Sequence, residues 1–277
     1  MGFRINTNVS SIAAQRSLSK VGKASESTLA KMSSGTRITK SADDAAGLAI
    51  SEKLKGQIRS TNQANRNAND GISMVQTAEG GLNEISNMLT RLRELSIQSA
   101  SDTVGDTERS FTDMEYQQLK SEIQRISEVT EFNGKKLLNG EGGQVDFQIG
   151  VNNNDFQDRI SYDTGKANAG VDALGISDIS VGSKAGAQEA LAMIDKASEQ
   201  ISGQRANLGA IQNRLISTSS NLEVTSENLS AANSRIRDVD YAKVSAENAK
   251  NNILNQAGTA VLSQANAQGQ NALRLIG

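Results

Sequence analysis

Seven apolar residues, Ile194, Ile201, Leu208, Leu215, Leu222, Leu229 and Ile236, stand seven apart without a break. A seven-residue period returns each of them to one stripe of an α-helix, and such a stripe is stable only when another helix covers it. The positions three residues earlier are mostly polar: Leu191, Ser198, Arg205, Gln212, Ser219, Ser226 and Asn233. Such a seam packs, but not as the apolar seam of a two-stranded zipper. From Ala187 to Ile236 the helix extends roughly 75 Å at the usual rise per residue. No compact domain needs a helix of that length, so the pattern predicts helices packed on helices, with other chains among the partners.

Composition narrows the function. Proline, cysteine, histidine and tryptophan are all absent from the 277 residues, and aromatic residues make up 3%. Lack of proline suits long unbroken helices. Few aromatics argue for helices packed through Ala, Leu, Ile and Val rather than for a large globular core. Without His or Cys, the usual general base, most metal ligands and the Ser–His–Asp and Cys–His constellations are missing, so no catalytic residue, metal site or cofactor is expected. A chain without thiols suits passage to the outside. No stretch has the 18 or more apolar residues of a membrane span, and the N-terminus lacks the apolar block of a secretory signal. The net charge of −2 is unevenly placed. Residues 1–34 carry five basic groups against Glu26, residues 243–277 three against Glu247, and the interior is acidic. Neither end clusters Lys and Arg with stacking aromatics, so nucleic acid is not an expected partner.

Along the chain, Ile5, Val9, Ile12, Leu18, Val21, Leu29 and Met32 repeat at weak helical spacing. With so little apolar surface to bury alone, this segment is expected to be labile in the monomer and ordered by partners. Gly35 breaks the run, and Ser41-x-x-Asp44 reads as a capping box opening a second helix that continues to about Ser99. Its second half is strongly periodic, with Val75, Ala78, Leu82, Ile85, Leu89 and Leu92, widened by Met74, Gly81, Met88 and Leu95. After a polar break at Ser101–Asp106, Met114, Leu119, Ile123, Ile126 and Val129 mark a shorter helix, expected to end near Asn133-Gly134. Val145, Phe147, Ile149 and Val151 then alternate with polar residues, and Asn152–Asn154 turns the chain toward Ile160 and Tyr162, a β-hairpin spanning about 144–163. The last helix, capped by Asp238 or Asp240, carries Ile253, Leu254, Ala257, Val261, Leu262 and Ala265. The expected fold is mainly α, a long-helix bundle or coiled-coil rod with one small β-hairpin region at the midpoint. An out-and-back chain brings its two ends together, and head-to-tail contacts between such ends build helical filaments rather than closed rings.

Longer words in the sequence carry a resemblance. ADDAAGLAISEKLKGQIR (Ala42–Arg59), RNANDGISMVQTAEGGLNEI (Arg66–Ile85), LRELSIQSA (Leu92–Ala100), FRINTNVSSIAAQRSL at the start and FNGKKLL (Phe132–Leu138) resemble the N-terminal region of bacterial flagellins. ENLSAANSRIRDVDYAKVSAENAKNNILNQAGTAVLSQAN (Glu227–Asn266) is similar to that family's C-terminal region. The resemblance implies a subunit of the flagellar filament, exported unprocessed through the flagellar type III path, in a minimal form lacking the outer variable domains. It implies an inner-core helical pair (1–42 with 240–277) and an outer-core domain (43–239). Polymerisation would then rest on Ile5, Val9, Ile12, Leu18, Ile253, Leu254, Ala257, Val261, Leu262 and Ala265. The core seam would be Leu82, Ile85, Leu89, Leu92, Ile201, Leu208, Leu215, Leu222 and Leu229. Implied partners are further copies of the chain, an export chaperone, the filament cap, hook-associated proteins and an animal Toll-like receptor reading Arg91, Leu95 and Glu115. Two other readings stand beside this one: a hook–filament junction protein with the same terminal architecture, and a surface coiled-coil protein that does not polymerise. A zinc-protease insert is excluded, since its HExxH motif needs histidine.

Overall fold

The computed structural model describes residues 7–274, with side chains to residue 267. Six helices dominate: α1 (Val9–Ser34), α2 (Ala45–Ala100), α3 (Asp106–Val129), a single-turn α4 (Asp155–Asp158), α5 (Lys184–Arg237) and α6 (Tyr241–Arg274). Two antiparallel hairpins interrupt them: β1 (Glu131–Phe132) with β2 (Lys135–Lys136), and β3 (Gln144–Gln148) with β4 (Arg159–Asp163). The mainly helical class, with its β-structure at the chain midpoint, is as the periodicities predict. The chain divides into two compact units, Met1–Ile58 with Asn228–Gly277, and Arg59–Glu227. Both α2 and α5 contribute residues to each unit.

In the terminal unit, α1 and α6 pair antiparallel. Asn8 caps α1 by accepting from Ser11 N at 3.0 Å. Gly35, at φ +66°, ends α1 in the left-handed conformation that favours glycine. Hydrogen bonds cross the α1–α6 seam. Asn8 Nδ2 donates to Ala265 O at 2.8 Å, Ser11 Oγ to Asn266 Oδ1 at 2.7 Å and Asn251 Nδ2 to Thr28 Oγ1 at 3.2 Å. Gly258 lies on Leu18, whose Cδ1 would be 3.1 Å from an added Cβ. Beyond Gly35 the chain is fastened to the end of α5: Arg37 Nε donates to Ile236 O at 3.1 Å and Arg37 N to Arg237 O.

The opening of α2 corrects the expected capping box. Asp44, not Ser41, is the cap, its Oδ1 accepting from Gly47 N at 2.8 Å, and the helix begins at Ala45. Residues 41–43 form a turn instead, because the Asp43 carboxylate folds back to accept from Thr39 N, Thr39 Oγ1 and Lys40 N. Those bonds, the Thr39 amide first, bring its pKa down to about 2. At the C-terminal end, Asp240 is the residue that caps α6, through Ala242 N and Lys243 N.

In the central unit, the α2 stripe from Val75 to Leu92 is fully buried, facing Tyr116 and Ile123 of α3 and Ile194, Ile201, Leu208 and Leu215 of α5 within one core. The heptad stripe fades toward its end: Leu222, Leu229 and Ile236 are only half-buried. There the polar companion stripe carries the contact with α2. Ser219 Oγ donates to Asn65 Oδ1 at 2.6 Å and Ser226 Oγ to Asn62 Oδ1 at 2.7 Å, and in the terminal unit Asn233 accepts from Ser51 Oγ at 2.8 Å.

The third helix also corrects an expectation, ending at Val129 rather than at Asn133-Gly134. Asn133 (φ 50°) and Gly134 (φ 76°) are both left-handed and form the two-residue turn that joins β1 to β2. Met114 and Val129, two of the apolar residues that mark α3, are both exposed. A polar stripe of α3, at alternating spacings of four and three, holds down the irregular segment that follows β4. Asp113 Oδ1 accepts from Ser180 Oγ and Val181 N, and Gln117 Nε2 and Lys120 Nζ donate to Ile179 O. Gln124 Oε1 accepts from Val171 N at 3.0 Å. Burial lowers the Lys120 pKa against the raising influence of Asp113 and Asp178. The second hairpin has Val145 opposite Tyr162 and Phe147 opposite Ile160, and it docks on α2 through Asn67 Nδ2, which donates to Gln148 O at 3.0 Å.

Candidate assembly surface

Alongside the hydrogen bonds that cross the α1–α6 seam, several larger apolar side chains of both helices remain exposed. Val9 is 63% exposed and Ile253 65%, and Ile12, Leu29, Leu254 and Val261 are also exposed. Leu18 and Leu262 are half-buried, Ala257 is exposed and Ala265 is buried against Asn8. Ile5 lies outside the described residues. An apolar groove of about 530 Å³ runs between the two helices, lined by Leu18, Val21, Leu254, Ala257 and Val261. Exposed apolar side chains beside such a groove on a helical pair mark an interaction surface rather than a solvated face.

The predicted seam residues Leu82, Ile85, Leu89, Leu92, Ile201, Leu208 and Leu215 come together in the interior of the central unit. The residues of the implied receptor epitope lie side by side on α2 and α3. Arg91 Nη2 meets Glu115 Oε1 at 2.8 Å and Arg91 Nη1 meets Glu94 Oε2 at 2.9 Å, and these bonds, Glu115 first, raise the arginine's pKa. Leu95 lies beneath them, 2% exposed. Arg93 is engaged by Asp195 at 2.8 Å.

Sequence reasoning missed Arg109. Only 8% exposed, it closes the α2–α3 turn by donating from Nε to Ser99 O and from Nη2 to Ser101 O, both at 2.9 Å, while Nη1 meets Asp106 at 3.0 Å. An arginine in the first turn of a helix that follows a polar break is the signal that would have found it. Among the described residues no three His, Cys, Asp or Glu side chains are grouped to hold a metal, and no helix is long and apolar enough to cross a membrane.

A helical fold whose paired terminal helices display apolar residues defines a structural protein built for association. Comparison with known proteins gives that class its family. Residues 5–142 match the bacterial flagellin N-terminal helical region and residues 191–276 the bacterial flagellin C-terminal helical region. The chain is 43% identical over 272 residues to a flagellin of Halalkalibacterium halodurans, covering 98% of this chain and 99% of that one. It is 44% identical over 309 residues to a flagellin of Bacillus subtilis, covering 99% and 100%. Among solved structures, it is similar to Bacillus cereus flagellin at a TM-score of 0.51 and 29% identity, covering 61% of this chain and 94% of that one. A Vibrio parahaemolyticus protein described as flagellar hook-associated shares the fold at a TM-score of 0.58, with 13% identity, covering 71% and 100%. This chain belongs to the bacterial flagellin family. It is a structural subunit of the flagellar filament, an extracellular appendage, and its first partner is a further copy of itself.

Proposed function

We propose that the paired terminal helices are the surface through which the subunit polymerises. The observation that carries this is the exposure of Val9, Ile12, Leu29, Ile253, Leu254 and Val261 on a helical pair that also opens an apolar groove between its members. Burying such side chains between subunits contributes about 1.5–3 kcal/mol each, which favours the assembled state strongly once several are covered together. The inner-core domain is assigned to residues 1–42 and 240–277 and the outer-core domain to 43–239. The compact unit containing the terminal pair extends further, to Ile58 and back from Asn228.

The subunit leaves the cell unprocessed through the flagellar type III path. An export chaperone covers the apolar face of α6 before delivery, and the filament cap and hook-associated proteins meet the same terminal helices at the two ends of the polymer. A Toll-like receptor reads the exposed Arg91–Glu115 pair, with Leu95 supporting it from below. No catalytic chemistry is assigned to the chain.

The test is seeded growth followed by negative-stain microscopy, comparing the full chain with one lacking residues 1–34 and 243–277. Long filaments from the full chain and monomers from the truncated one are expected. Filaments from the truncated chain would show that the ends do not drive assembly. An intact chain that stays monomeric on seeds would refute polymerisation itself.

A further inference from the structure

The groove between α1 and α6 does not end in neutral surface. Ala13 and Ser17 line it from α1, and Leu254, Ala257 and Val261 from α6. Steps of three and four residues keep helical side chains on one face, so both rows can be followed beyond the groove. On α1 the row runs Ala13, Ser17, Lys20, Ala24 and Lys31, and on α6 it runs Lys243, Glu247, Lys250, Leu254, Ala257 and Val261. The helices are antiparallel, with Leu18 against Gly258 and Thr28 against Asn251. Lys31, Lys243 and Lys250 therefore gather beyond one end of the groove, and Lys20 stands at its edge.

Most of these cations are left unengaged within the chain. Lys20, Lys243 and Lys250 are exposed, and among the described residues none of the three is in an ion pair. Lys31 is half-buried and its charge acts on Asp43. Glu247 is the one carboxylate in the two rows, and residues 1–34 with 243–277 carry eight Lys and Arg against two Glu. The surface thus joins an aliphatic trough to a cationic patch. The trough is lined by aliphatic and hydroxyl side chains, which offer no stacking platform to a nucleic acid. An anionic lipid surface takes up this combination: aliphatic side chains enter the boundary between headgroups and acyl chains, and ammonium groups meet the phosphates.

We propose that the unassembled subunit binds anionic lipid bilayers through this face of its terminal helical pair. Leu254 and Val261 enter the acyl boundary, while Lys20, Lys243 and Lys250 lay their stems along it and hold their ammonium groups at the headgroup phosphates. The contact is peripheral and requires no spanning helix. It goes beyond the filament reading and does not depend on it, because it concerns the free chain. Where the same pair serves assembly, a subunit is on lipid or in a filament, not both.

The full chain, kept monomeric without seeds, is sedimented with vesicles of phosphatidylcholine alone or mixed equally with phosphatidylglycerol. Binding to the mixed vesicles is expected to exceed binding to the neutral ones at least about tenfold at low salt, and to fall as salt screens the headgroups. Lys20→Gln with Lys250→Gln is expected to weaken that binding at least about tenfold, each lysine near an anionic surface accounting for roughly fivefold. The chain has no cysteine, so one introduced thiol can carry an environment-sensitive dye. A dye on Ala257→Cys should pass into an apolar environment when mixed vesicles are added, whereas a dye on Glu189→Cys, exposed on the central unit, should stay in water. Absence of binding to mixed vesicles, equal binding to neutral ones, undiminished binding by the Lys20/Lys250 variant, or a dye response at position 189 alone would each overturn the proposal. A chain that binds lipid as expected yet never grows on seeds leaves the proposal standing and overturns only the polymerisation reading.

Discussion

Arg109 shows how much one side chain holds at a helix junction. Its guanidinium satisfies two carbonyls left over where α2 ends and opens α3 beside Asp106. We expect Arg109→Ala to destabilise the chain by about 2–3 kcal/mol, because the stranded carbonyls stay buried. Lysine should not restore the loss, lacking the planar fork that reaches both oxygens. Urea unfolding of the two variants measures both. Two tyrosines give a pH signature. Burial pushes the phenols of Tyr116 and Tyr162 up to about 12, against an ordinary value of 10, with Asp113 adding at Tyr116 and Asp163 at Tyr162. A phenol that resists ionisation when folded stabilises the native state fully below pH 10, and that contribution is lost as pH climbs toward 12. Tyrosinate absorbance should therefore rise together with the loss of helical ellipticity in that window. A double Tyr116→Phe/Tyr162→Phe variant should be less sensitive to alkali.

At the scale of elements, the hairpin on α2 depends on the absence of a side chain. A Cβ on Gly71 would lie 2.9 Å from Phe147 Cδ1, so Gly71→Ala should cost about 1–3 kcal/mol by overpacking. Faster amide exchange across β3 and β4 would check it. Long elements were legible because periodicity is a property of many residues at once: the α2 stripe, the heptads of α5 and the alternation from Val145 to Ile149 each found its place. Local signals of one or two residues were less so. Ser41 and Asp44 both suit an N-cap, and only the backward bonds of Asp43 decide between them. Asn133-Gly134 suits a helix end or a hairpin turn equally well in isolation. Its role follows from β1 pairing with β2, a contact that no short window contains.

For the molecule as a whole, the family and the filament role were legible from long sequence words. The apolar residues of α1 and α6 could be read as a helical face, but not as one left uncovered. That required knowing that Asn8, Ser11, Thr28 and Asn251 occupy the seam, which neither helix reveals alone. Met114 marks α3 by its register yet lies exposed, although an apolar residue in helical register is ordinarily a buried one. Charge-neutral substitutions in the outward row, such as Ile253→Ser with Val261→Ser, should slow filament elongation at least about tenfold while leaving the monomer's melting almost unaltered. Light scattering on seeds measures this.

The hydrogen bonds across the α1–α6 seam also have a mechanical consequence. Asn8 sits beside Ala265 and Asn266, so α1 and α6 meet near the two ends of the chain. A force pulling those ends apart acts on the seam as on a zipper, loading one contact at a time instead of shearing all of them together. Each such hydrogen bond contributes only about 1 kcal/mol. In a single-molecule stretching experiment the terminal pair should therefore yield first, gradually and at low force, before the apolar interior of the central unit gives way in one abrupt step.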